Sequence, residues 1–153
     1  MEGTSSAAIT DYASLLIDAS DIPVPGFEKG TPQDPPQGTG TAVAFTGEGG
    51  RTLGDSILIL GSAAEAQAAA ASAVTAAQGA VTAPEVTEAP IGDGGTAIRG
   101  TSAAGEVAVL VFSQGPAMIV LEFDSPAGDP VPTDVIQQVA TAQSDRITSG
   151  LGG

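Results

Sequence analysis

Large aliphatic and aromatic positions are densest over residues 106–124, EVAVLVFSQGPAMIVLEFD. Two apolar runs, 107–112 and 117–123, flank Ser113-Gln114-Gly115-Pro116, which predicts a β-hairpin at the centre of a sheet. The first run is apolar on both faces and is expected to be covered on both sides. The second divides into Ala117, Ile119, Leu121 and Phe123 against Met118, Val120, Glu122 and Asp124, so its far end reaches the surface.

Two further runs, 41–46 and 52–60, alternate around a glycine turn and predict another hairpin. Ser62-Ala63-Ala64-Glu65 has the spacing of a capping box and opens a helix to about Gln78, with Gly79 as its stop. That helix is almost all alanine, with Val74 its one large apolar side chain, so it should lie close against the sheet. Residues 81–90 read as an edge strand bounded by Pro84 and Pro90, and 96–100 as a short strand with Ala97 and Arg99 on one face. A last helix is expected over 133–149, with Ile136, Val139 or Ala140, Gln143 and Ile147 inward and Gly150 as its stop. Near the start, Asp11 can cap a short helix through Ile17, with strand as the alternative for 15–17. Residues 23–40, rich in proline and glycine, predict a long ordered loop or flap in which Phe27 is either an anchor or a ligand contact. The order predicts an α+β fold: an antiparallel or mixed sheet of about five strands with helices packed on it. It occupies one domain over 10–151, after a disordered tail at 1–9.

Composition narrows the core. Hydrophobic residues are 42% of the chain, but many are alanine, and there is no Trp, one Tyr and four Phe. The core must come from the Val, Ile and Leu of the strand-like runs, and the Gly- and Pro-rich segments belong on the surface. Charge narrows the partners. Eighteen acids against four bases give a net charge of −14, which repels nucleic acid and disfavours anionic membrane surfaces. No apolar run approaches the ~18–20 residues of a membrane span.

The chain has no His and no Cys, which excludes thiol nucleophiles, the usual zinc sites and the commonest general base. Glu106, Glu122 and Asp124 are carboxylates on the central hairpin, but a glycosidase site also needs a cleft with sugar-stacking aromatics, and those are scarce. A Ser–Lys arrangement could use only Lys29, which sits in the proline loop. Asp124 and Asp129 offer hard oxygen ligands without the spacing of an EF-hand, and Asp129 and Asp134 suit loop and helix-start stabilisation. No metal or cofactor is expected. Arg99, one of four bases, either pairs with a cross-strand acid or faces an anionic ligand.

Residues 16–22 (LIDASDI), 91–95 (IGDGG) and 121–132 (LEFDSPAGDPVP) give the chain a pattern that resembles small exported proteins and lipoproteins of mycobacteria and related actinomycetes. More loosely, the chain is similar to extracytoplasmic sensor domains of mycobacterial Ser/Thr kinases. The resemblance implies a PsbP- or sensor-like α+β domain that is extracytoplasmic, its signal peptide removed ahead of the polar start. It also implies binding of an envelope small molecule or envelope protein rather than catalysis. The expected site is the space between the proline loop and the sheet, with Phe27, Phe45, Arg99, Phe112 and Phe123 as ligand contacts. The alternative is a structural or assembly module that pairs through a sheet edge.

Overall fold

The computed structural model describes residues 12–24, 26–33, 39–103 and 105–151; the expected tail at 1–9 and the cap at Asp11 lie outside them. Seven strands form one sheet: β1 (Glu28–Lys29), β2 (Thr39–Thr46), β3 (Thr52–Ile59), β4 (Thr82–Ala89), β5 (Gly95–Ser102), β6 (Gly105–Gln114) and β7 (Ala117–Ser125). Their spatial order is β1-β2-β3-β7-β6-β5-β4, and every neighbouring pair is antiparallel. Among the described residues two α-helices cover it, α1 (Ala63–Ala80) and α2 (Thr133–Leu151).

The fold is α+β with an antiparallel sheet, larger than the expected five strands. One addition is β1, which comes from the proline-rich loop and pairs Glu28 with Thr46 and Lys29 with Phe45. A second part of the loop is tied to the sheet by a bridge between Gln33 and Ala42. The stretches between the prolines keep backbone N–H groups free to donate, as Gly30 does to Ala44 O and Gln33 to Ala42 O.

The central hairpin is where its pattern puts it: β7 is the middle strand and β6 adjoins it. One face of the sheet carries Val43, Phe45, Leu53, Ile57, Leu110, Phe112, Ile119, Leu121 and Phe123 into the main core, together with Ile136, Val139 and Ile147 of α2. Each such fully buried side chain stabilises the fold by ~1.5–3 kcal/mol. The other face carries Ile98, Val109, Val111 and Met118 against α1, whose Ala66 is fully buried and whose Ala69, Ala70, Ala73 and Ala77 pack beside it.

Ser62 caps α1 by accepting the Glu65 amide at 3.2 Å, while Glu65 Oε1 accepts from Gly61 N rather than from Ser62. Both helices run past their expected stops: Gly79 lies inside α1 and Gly150 inside α2. A glycine ends a helix only when it turns left-handed, and neither does so here.

The expected N-terminal helix is instead a 3-10 turn over Tyr12–Leu15. Leu15, Leu16 and Ile17 are all buried. Three consecutive buried side chains do not fit the one inward stripe of a surface helix. The segment is a strap held at several points. Gln143 Nε2, fully buried on α2, donates to Leu15 O at 2.6 Å. Ile17 N–H donates to Asp55 Oδ2 at 3.5 Å. Arg146 and Lys29 clasp Asp18 and Asp21 beyond it.

Candidate functional site

Helix α2 covers one face of the sheet without covering all of it. Beside it, over β4, β5 and the near side of β6, a trench remains. Strand alternation sets its floor: Ala97, Arg99 and Thr101 of β5 point to this face, opposite Leu110, Ala108 and Glu106 of β6. One wall is β4, where Thr87 opposes Ala97 and Glu85 opposes Arg99. The other wall is the first half of α2 with the loop before it.

Arg99 divides the trench. Its Nη2 donates to Val131 O at 2.8 Å and to Thr133 Oγ1 at 3.1 Å, so the guanidinium reaches across to the start of α2. Both bonds come from one nitrogen of a group that carries five donors. On one side is a chamber of about 580 Å³ lined by Ala89, Ile91, Ala97, Leu110, Ile136 and Ala140 among others. On the other is a chamber of about 290 Å³ lined by Glu85, Glu106, Ala108, Phe123 and Val131 among others. The larger falls within the ~300–1,000 Å³ usual for small-molecule sites.

Of the expected site residues, Arg99 and Phe123 meet at the smaller chamber. Phe27 and Phe123 line the space between the proline-rich loop and the sheet, but that space is about 50 Å³. It is room for water rather than for an organic ligand. Phe45 and Phe112 are fully buried members of the main core and line none of these spaces. Arg99 opposes an acid, Glu85, in the strand register, while its hydrogen bonds go to the loop and α2. The residues that make the larger chamber, such as Ala97, Ile136, Gln137 and Thr141, carry no chemistry that a sequence pattern would single out. Small residues on one face of β5, Gly95 and Ala97, opposite Phe112 and Leu110 of β6, were the available signal.

The three hairpin carboxylates do not converge on one site, although Glu122 and Asp124 lie side by side and share a hydrogen bond. Glu106 lies on the trench face, where its Oε2 accepts from Gly128 N at 3.0 Å, while Glu122 and Asp124 point to the α1 face. Burial, with the neighbouring Asp124 charge, holds the Glu122 carboxyl above its ordinary range. Asp129 pairs with Arg51, and Asp124 Oδ2 accepts from Thr52 Oγ1 at 3.3 Å. Among the described residues no cluster of acids converges on a metal position. Lys29 is engaged with Asp18 at 2.9 Å.

The sheet edge is also constrained. Strand β4 is exposed along almost its whole length, and Val86 stands out at 48% exposure. A register shift between Thr82 and Glu85, with Ala83 at φ 52° and Pro84 following, interrupts its first half. Bulges and prolines of this kind obstruct edge-to-edge pairing.

No family model and no curated protein matches the chain. Among solved structures it is similar to a GTP binding regulator from Thermotoga maritima, at 9% identity and a TM-score of 0.51, over 90% of this chain and 90% of that one. Likeness at that identity speaks to the fold. No helix among the described residues is long and apolar enough to cross a membrane.

Proposed function

We propose that this protein is a non-catalytic binding domain whose ligand lies in the trench between β4–β5 and α2. The observation that carries the reading is the chamber of about 580 Å³, whose wall combines aliphatic side chains with Thr87, Glu88, Thr133, Gln137, Thr141 and a single arginine. A concave, mostly apolar space with few convergent polar groups is the usual form of a small-molecule site. The absence of His and Cys from the chain favours binding over acid–base or thiol chemistry. Glu85, Glu88 and Glu106 line the same trench, which disfavours a multiply charged ligand such as a nucleoside triphosphate. The extracytoplasmic location, the PsbP- or sensor-like assignment and an envelope molecule as ligand belong to the same proposal and rest on the sequence resemblance. Interrupted pairing along β4 makes assembly through that edge the weaker reading.

The test is amide chemical-shift mapping with a panel of single-chain amphiphiles bearing cationic, neutral and anionic heads. At least one is expected to perturb β4, β5 and the first half of α2 together. Shifts confined to other surfaces, or none with any head group, would overturn the reading.

A further inference from the structure

We propose that the trench is built for an unbranched aliphatic monocarboxylate, its head on Arg99 and its tail along β5 toward Gly95. The inference rests on the trench being a binding site at all, and it names the ligand class from the arrangement of charge and apolar surface there.

Arg99 borders both chambers, and no other basic residue lines either of them. In a chain with net charge −14, a cation set in a half-buried hollow is a local exception to the surrounding field. A guanidinium offers paired N–H donors that match a carboxylate in a bidentate way. Among the described residues its hydrogen bonds occupy Nη2 alone, and their acceptors are neutral: a backbone carbonyl and a hydroxyl. An anionic acceptor makes a stronger, charge-assisted bond than either.

The acids beside Arg99 set the valence. Glu85 is its cross-strand partner and Glu106 lines the same small chamber. Together they already outweigh the one charge of Arg99, so an anionic head is held only in direct contact with the guanidinium, and a second negative charge is repelled. Phosphate monoesters and polyphosphates are disfavoured accordingly.

The shape sets the tail. From Arg99 to Gly95 the strand spans four residue steps, roughly 13 Å at ~3.3 Å each. The apolar side chains along that path are Ala97, Leu110, Ile136 and Ala140, with Ala89 and Ile91 at the far end, and Thr87, Glu88, Gln137 and Thr141 line the chamber with them. The apolar ones present methyl and methylene surface, and the chamber has no aromatic ring on which a planar ligand would stack. An extended hydrocarbon chain meets that surface along its length, and its burial follows apolar area.

The experiment compares decanoate with decanol, which keeps the tail and loses the charge, by shift mapping and calorimetry on wild type, R99Q, R99K and A97F. Decanoate is expected to bind wild type at least tenfold more tightly than decanol, with both in the larger chamber. R99Q should abolish that difference, R99K should keep part of it, and A97F should weaken both ligands by filling the floor. Should R99Q not fold, R99K gives the same information: it keeps the charge and loses the paired donors, so the preference for decanoate over decanol is expected to fall below that of wild type. Equal affinities for the two, both mapping to the trench, would overturn the carboxylate assignment and leave the trench standing as a site. Failure of both to bind, or shifts elsewhere, would overturn the trench reading with it.

Discussion

Asp55 is a carboxylate in the middle of a hydrophobic core. It lies on β3 between Val43 of β2 and Leu121 of β7, and it has no solvent exposure. Its Oδ2 accepts the Ile17 amide, and its Oδ1 takes no hydrogen bond among the described residues. Burial pushes the carboxyl from 3.8 up to about 7; the Ile17 amide and the Lys29 charge pull it down by less. Because the folded pKa lies above the unfolded one, the folded state holds this proton more tightly. The associated stability is fully present below about pH 4 and is lost as pH rises toward 7.

At ~1.36 kcal/mol for each pH unit of separation, a pKa raised from 3.8 to about 7 corresponds to ~4 kcal/mol. That is a large part of the ~5–15 kcal/mol by which domains are stable. Substitution of Asp55→Asn keeps the shape and removes the titration. Urea unfolding of both proteins at about pH 4.5 and about pH 8 isolates the effect. The other acids, including Asp18, are common to the two. Asp18 has the opposite sign: its bond to Lys29 lowers its pKa, so its contribution is lost on acidification rather than gained. Wild type is expected to lose most of ~4 kcal/mol relative to Asp55→Asn between those conditions, a change in midpoint of ~2 M at a slope of ~2 kcal/mol/M. Parallel pH profiles for the two proteins would refute the claim that the core holds a protonated Asp55.

Gln143→Leu removes the donor to Leu15 O and leaves that carbonyl without its partner. The expected loss is ~1–3 kcal/mol, with amide exchange accelerated first at residues 15–17. Gly40 has φ +152°, and a Cβ there would sit 1.9 Å from Ile57 O. Gly40→Ala should therefore cost at least ~2 kcal/mol by thermal or urea unfolding, whereas Gly54→Ala, with nothing within 4 Å of its Cβ position, should change stability by less than ~0.5 kcal/mol.

What was legible in the sequence is what large side chains report. The β6–β7 hairpin, the β2–β3 hairpin, the Ser62 cap and the inward face of α2 each follow from a periodicity or a local hydrogen-bonding rule. The strap escaped that logic, because burial of Leu15, Leu16 and Ile17 in succession is set by what lies above and below them. Strand β1 escaped it because two residues show no period. The aromatics were legible as apolar and illegible as to place. Phe45 and Phe112 carry the sheet's core, where their area is wholly removed from water, and only Phe123 also reaches a chamber wall. Arg99 was identifiable because bases are rare in this chain, while the trench around it is defined by side chains that are small.

The scarcity of large side chains has different consequences on the two faces of the sheet. Toward α1, alanines meet Val109, Val111 and Met118, and a helix with short side chains can approach the sheet closely enough for contact. Small residues there produce close packing. Toward α2, the helix brings Ile136, Val139 and Ile147, and the sheet answers with Phe112, Leu121 and Phe123 beneath its centre. Beyond that centre the floor falls to Ala97 and Ala108, while the helix keeps the spacing its larger side chains impose. Small residues there produce a hollow. Arg99, the cation lining it, stands where that hollow is divided, and its reach to Val131 and Thr133 ties the start of α2 to the strand that forms the floor.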